Sequence, residues 1–221
     1  MTKRDKIVAE LRRKIRDGEL SRGSRIQQDV LAEMFNTSIT PVREALVLLE
    51  AEGLLVGEPN RGVSVADANF ESVKAVYVQR MLQEPYAMQR AARRISPIEL
   101  EKAEQLLERM ENHSEDEVVS VPELNRQFHF LFYDACGNNS LSEQIELLWQ
   151  KWPWDLLMVI KHRPGESRQE HREMLEAVRA GDLEGVSHAT KAHLRQSFLS
   201  LGEHLTGKPI KDIYDLDVDA S

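Results

Sequence analysis

The chain has 221 residues, 41% hydrophobic and 30% charged, and carries a net charge of −8 at pH 7, which bounds it to one large or two modest globular domains. A single cysteine, Cys136, excludes an intrachain disulfide and fits a reducing cytoplasm. Residues 1–17 are charged throughout, without the apolar core of a secretory leader, and the apolar stretch 147–160 is broken by Gln150, Lys151, Pro153 and Asp155, so neither export nor a membrane span is predicted.

The charge is unevenly spread. Residues 1–66 hold 11 Lys/Arg against 10 Asp/Glu, whereas residues 67–221 hold 18 against 27. In the first part Lys3, Arg4, Lys6, Arg12, Arg13, Lys14 and Arg16 cluster. They can lie along phosphates or form an ordinary solvated helix face. Ile7, Leu11 and Ile15 recur at helical spacing and predict a first helix. Residues 26–35 follow, with Leu31, Met34 and Phe35 as an apolar face, then a polar turn at Asn36-Thr37-Ser38. Ser38 or Thr40 can cap the next helix, whose first turn tolerates Pro41. There Val42, Ala45, Leu46 and Leu49 face inward and Arg43 faces outward near the N-terminus. Leu54-Leu55-Val56, the turn Pro59-Asn60-Arg61-Gly62 and Val63-Ser64-Val65 read as a β-hairpin. Helix, turn, helix and hairpin together suit a major-groove reader.

Residues 67–70 read as a polar linker and the remainder as helix. Ser96-Pro97-Ile98-Glu99, Ser120-Val121-Pro122-Glu123, Ser140-Leu141-Ser142-Glu143 and Ser167-Arg168-Gln169-Glu170 are capping-box patterns. They predict helices over roughly 71–94, 97–111, 121–136, 140–162, 167–180 and 182–205, with Pro85 and Pro153 kinking the first and fourth. Residues 206–221, polar and acidic, predict a frayed tail. The domains expected are therefore 1–66, a bundle over 71–205 and the tail. The fold class is mainly all-α, with a small hairpin wing and an antiparallel bundle of six to seven helices.

Within the bundle, Asn125 and His129 lie four apart on one helix face. His171 and His193 lie 22 residues apart on helices joined by a short turn, which can bring both imidazoles together. Spacing alone leaves two readings open: core histidines satisfied by hydrogen bonds, or ligands. Three imidazoles suit zinc, nickel, copper, iron or cobalt better than magnesium or calcium. Arg80 sits in an apolar run, either paired with Glu84 one turn on or holding a carboxylate ligand bidentately. Trp149, Trp152 and Trp154 read as core or interface residues, and Cys136 as a core residue.

Residues 38–46 (Ser-Ile-Thr-Pro-Val-Arg-Glu-Ala-Leu), residues 49–54 (Leu-Glu-Ala-Glu-Gly-Leu) and the turn 59–62 resemble the winged helix of the GntR family of bacterial transcription regulators. The resemblance implies DNA contacts from Ser38, Ile39, Thr40 and Arg43 and from Asn60, Arg61 and Gly62 of the wing, with Arg12 on the backbone. Ile39 stands where most members carry an arginine. It can pack on a thymine methyl instead, which shifts reading toward Arg43 and Arg61.

Arg80-Met81-Leu82-Gln83-Glu84, Phe128-His129, Ala135-Cys136-Gly137-Asn138 and residues 170–178 resemble the FCD effector domain of the FadR subfamily. That resemblance implies a divalent transition metal, zinc or nickel foremost, on Asn125, His129, His171 and His193. Asn125 replaces the usual aspartate and brings no charge. It also implies a small organic acid as effector, with Arg80 as a candidate contact, and a homodimer on a double-stranded, pseudo-palindromic operator, acting as a repressor. Two other classes remain open at this stage. One is a metal-dependent enzyme with an accessory DNA-binding domain, although no nucleophile motif, phosphate loop or telling general base is present. The other is a metal sensor in which the ion itself is the signal.

Overall fold

A computed structural model describes residues 2–58, 62–114, 119–160 and 163–215. The chain divides into two compact units, Met1–Asn69 with Pro153–Asp155, and Phe70–Trp152 with Leu156–Ser221.

The first unit begins with α1 (Lys3–Arg16). Thr2 caps it through a reciprocal box: the Thr2 hydroxyl accepts from the Asp5 amide at 3.1 Å, and Asp5 accepts from the Thr2 amide at 3.0 Å. The helix-turn-helix is α2 (Gln28–Met34) and α3 (Ile39–Ala51). Asn36 turns the corner between them with φ +45°, a conformation asparagine tolerates better than most residues. Ile7, Leu11, Ile15, Val42, Ala45, Leu46 and Leu49 are all buried in one core, as their spacing predicts. The apolar face expected of α2 is smaller than its sequence suggests. Leu31 is buried and Phe35 partly so, but Met34, the last residue of the helix, is 54% exposed.

The wing is three-stranded rather than a bare hairpin. Strands β2 (Leu55–Glu58) and β3 (Gly62–Val65) pair antiparallel with Val56 opposite Ser64. A two-residue strand, β1 (Arg25–Ile26), adds to the free side of β3 with Arg25 opposite Ser64, giving the order β1-β3-β2. Two residues carry no periodicity, which is why the sequence does not announce this strand.

The rest of the chain forms α4 (Phe70–Ala92), α5 (Pro97–Glu111), α6 (Val121–Ala135), α7 (Asn139–Lys151), α8 (Trp154–Val159), α9 (Arg163–Ala180) and α10 (Leu183–Thr206); all belong to the second unit except that the first two residues of α8, Trp154 and Asp155, fall in the first. α4 packs against α6, α7, α9 and α10; α5 packs against α6 and α9; and α9 packs on α10. Ser96 forms the full capping box with Glu99, and Ser120 caps α6. Pro85 lies inside the continuous α4.

Three boundaries differ from expectation. The single kinked helix over 140–162 is two helices, because Trp152, preceding Pro153, adopts the extended conformation (φ −80°, ψ 132°) that a following proline enforces. The cap of α7 is Asn138, which accepts from the Leu141 amide at 3.2 Å, so Ser140, the expected cap, lies inside the helix. Helix α9 starts four residues early, at Arg163. Pro164 then falls in a first turn, where its missing N–H costs nothing, and Ser167 lies within the helix.

The predicted frayed tail, 206–221, is corrected over residues 207–215, while residues 216–221 lie outside the described residues. Gly207 closes α10 in the left-handed conformation (φ +71°), and the chain turns back on the bundle. Ile210 abuts Gly202, where a Cβ would collide with it. Asp212 is buried, accepting from the Tyr77 hydroxyl at 3.1 Å and from Arg195 at 2.8 Å. A satisfied buried carboxylate outweighs the polar composition that suggested fraying. Among the described residues no helix is long and apolar enough to cross a membrane.

Candidate DNA-reading surface and histidine centre

In the first unit, Ser38 occupies the N-cap position of α3 without using its hydroxyl as a cap. Ser38 and Thr40 are exposed and Ile39 is half-buried. Arg43 projects one turn later, exposed, with Nε donating to Gln28 Oε1 at 3.4 Å. Gly62 opens β3 with φ +86°, and the Arg25 guanidinium lies over it so closely that a Cβ would sit 3.3 Å from Nη2. Asn60 and Arg61, the other wing residues singled out, lie outside the described residues.

The basic cluster of α1 is less available than its composition implies. Arg12 is engaged bidentately by Glu52 at 2.5 and 3.1 Å. Arg13 pairs with Glu10, Asp17 and Glu19, Lys14 with Glu10 and Glu19, and Arg16 with Asp17. Hydrogen bonds from Arg13 and Lys14 hold the Glu19 carboxyl down at about 2. Lys3 donates to the Phe35 carbonyl. Arg43 is thus the site arginine that no carboxylate occupies among the described residues, whereas Arg12 is occupied by Glu52.

The second unit brings His129 (α6), His171 (α9) and His193 (α10) together. All three are buried, and one ligand atom from each lies within 4.8 Å of the others. Their ring centroids are 4.7–5.2 Å apart, and His129 Nε2 is 3.0 Å from His171 Nε2. Burial pushes all three imidazoles below their ordinary value; positive neighbours add to the shift at His129 and His171, whereas Glu170 opposes it at His193 without overcoming it, so all three are neutral near pH 7.

Two of the rings are oriented by partners. His193 Nδ1 donates to Glu170 at 2.7 Å. Burial drives Glu170 up, but the bonds from His193 and from Arg163 (2.7 Å to each oxygen) outweigh it and hold the carboxyl at about 2. His129 Nδ1 faces the Tyr133 hydroxyl at 3.2 Å, and that hydroxyl donates to Glu84 at 2.6 Å. His171 Nδ1 is buried without a hydrogen-bond partner among the described residues.

Arg80 is buried at 1% exposure and pairs with Glu84 at 2.5 Å, its guanidinium over the Trp149 and Trp152 rings. Trp149 Nε1 also donates to Glu84, at 3.0 Å. Asn125 sits half-buried one turn before His129 on α6. The donor set fits a borderline transition ion: three neutral imidazoles, close together, with no carboxylate among them.

Sequence reasoning found the histidines but not the groups that orient them. Tyr133 is four residues after His129, a spacing that could have pointed to it. Glu170 precedes His171 yet serves His193, and Arg163 lies in a segment read as a loop; neither left a local signal.

A winged helix-turn-helix followed by a buried-histidine helical bundle defines a class of DNA-binding regulators, and the comparisons place the chain within it. Residues 3–65 match the bacterial regulatory proteins of the gntR family, and residues 75–196 match the FCD domain. The HTH-type transcriptional regulator YdhC of Bacillus subtilis is 30% identical over 205 residues, 89% of this chain and 88% of that one. The HTH-type transcriptional regulator McbR of Escherichia coli is 29% identical, covering 88% and 90%. The McbR structure covers 93% of this chain and all of that one, with a TM-score of 0.81 at 24% identity. A GntR-type regulator from Rhodococcus sp. RHA1 superposes with a TM-score of 0.74 at 22% identity, covering 91% and 99%. The chain belongs to the GntR family of bacterial transcription regulators and carries an FCD domain as its second unit. Family and relatives alike indicate a transcription regulator rather than an enzyme.

Proposed function

We propose that the protein is a dimeric repressor whose operator affinity is set by a small organic acid bound at a transition metal in the bundle. The observation that carries this reading is the buried, neutral trio of His129, His171 and His193, whose ligand atoms lie within 4.8 Å of one another. Each winged helix would read one half-site of a two-fold operator. The N-terminal end of α3 and its cap supply Ser38, Ile39, Thr40 and Arg43, and the wing supplies Asn60, Arg61 and Gly62. Arg12, engaged by Glu52, contributes less than composition suggests.

The three imidazoles would hold zinc or nickel, with Asn125 as a candidate fourth ligand through its amide oxygen. When bound, such an ion offers open coordination positions to a carboxylate oxygen. Because this donor set carries no negative charge, it leaves the ion's full charge for an anion to neutralise. Arg80 is already neutralised by Glu84, so an effector carboxylate would engage it only by competing with Glu84.

The test is metal content by plasma mass spectrometry, followed by thermal-shift screening of small carboxylates on the loaded protein. His129→Ala is expected to abolish both metal uptake and the carboxylate shift. Unchanged metal content in that variant would sink the site. Release of operator by chelation alone, with no response to any acid, would favour the metal-sensor reading instead.

A further inference from the structure

The structure assigns a positioning role to Tyr133: anchored by Glu84, it fixes the His129 proton on Nδ1 and thereby commits Nε2 to metal binding. This rests on the metal reading above, but its first test does not.

The argument is one of proton supply. Glu84 accepts from Arg80 Nε, from Trp149 Nε1 and from the Tyr133 hydroxyl, so both of its oxygens serve as acceptors. Tyr133 is fully buried and has a single hydroxyl proton to give. At 2.6 Å that proton goes to Glu84, a short charge-assisted bond. Toward His129 the phenol oxygen can therefore only accept, and the 3.2 Å contact requires the proton to be on His129 Nδ1. His129 Nε2 is left with its lone pair. Glu170 does the same for His193, taking the Nδ1 proton at 2.7 Å and leaving Nε2 bare.

His171 differs. Its Nε2 lies 3.0 Å from the bare His129 Nε2, a distance that requires one proton between two ring nitrogens, and only His171 can supply it. Without metal, then, His171 is the Nε2–H tautomer donating to His129. An ion held by His129 and His171 would take the place of that proton, and His171 would stay neutral by carrying its proton on Nδ1, which faces no acceptor among the described residues. Two ligands are thus preset by carboxylates, and the third exchanges a hydrogen bond for the ion.

The experiment is long-range ¹H–¹⁵N imidazole NMR on chelator-treated full-length protein, with and without zinc. His129 is expected as the Nδ1–H tautomer in both states, and His171 as Nε2–H before zinc and Nδ1–H after. Tyr133→Phe keeps the ring but removes the acceptor. It is expected to release His129 into a tautomer mixture and to weaken zinc binding about 10–100-fold in chelator competition, with the helical circular dichroism unchanged. His129 protonated on Nε2 in the metal-free wild type, or zinc affinity unchanged in Tyr133→Phe, would overturn the assignment. Wild-type protein with these metal-free tautomers that takes up no zinc supports the proton assignment and contradicts the metal reading.

Discussion

The two units treat charge in opposite ways. In the first, the arginines and lysines of α1 meet Glu10, Asp17, Glu19 and Glu52 at or near the surface, where such pairs contribute about 0–1 kcal/mol. In the second, Arg80, Glu84, His129 and His171 are buried in one hydrogen-bonded set through Tyr133, and Arg163 and His193 in another through Glu170. Surface charges are individually replaceable except where DNA would use them. Buried ones depend on each other, so removing one strands the rest.

That contrast is broken most sharply at Glu84. Glu84→Ala leaves a buried guanidinium, a phenol and an indole N–H without their shared acceptor, and a loss of about 3–5 kcal/mol is expected in urea denaturation. A loss as small as that of a surface pair would mean the network is not interdependent.

On the DNA side, Arg43→Ala is expected to cost about 1–3 kcal/mol in specific operator binding by fluorescence anisotropy. Arg12→Ala should cost less, since Glu52 already occupies that guanidinium. The reverse order would relocate the reading edge to α1.

The histidines predict a pH dependence near neutrality that the first unit, which contains no histidine, lacks. Burial holds His129, His171 and His193 below the ordinary imidazole value, so the unfolded chain takes up protons that the folded chain refuses. Stability is therefore full above about pH 6.5 and declines as the pH falls through that value. Metal-stripped protein compared at pH 7.5 and 5.5 by urea titration should be less stable at 5.5, and His171→Leu should flatten the slope. The smallest effect is reserved for α1, where Arg13→Ala should cost at most about 1 kcal/mol by thermal denaturation.

Legibility in the sequence follows the same division. Local chemistry was readable: Ser96 with Glu99, Ser120 before Pro122, and the spacing of Ile7, Leu11 and Ile15 each fix an element through neighbours a turn away. The histidine trio was readable because His171 and His193 lie on helices joined by a short turn. What escaped depends on distant partners. Arg163 starts α9 in a segment containing Pro164 and Gly165, and its guanidinium reaches Glu170 and Ser197. The returning tail is held by Asp212 against Tyr77 and Arg195, and β1 exists only because β3 is there to pair with it. Glu84 looked like one half of an i,i+4 pair and is the common acceptor of three donors.

The central claim is that the bundle's histidine centre governs the winged helix. It is tested most directly by operator binding of zinc-loaded protein, titrated with and without the carboxylate that shifts its melting temperature, in wild type and in His129→Ala. The account predicts that the acid weakens operator binding of the wild type by about 5–150-fold, a coupling of 1–3 kcal/mol, and leaves His129→Ala unaffected. Superimposable isotherms for the wild type with and without acid, or a full response retained in His129→Ala, would contradict it.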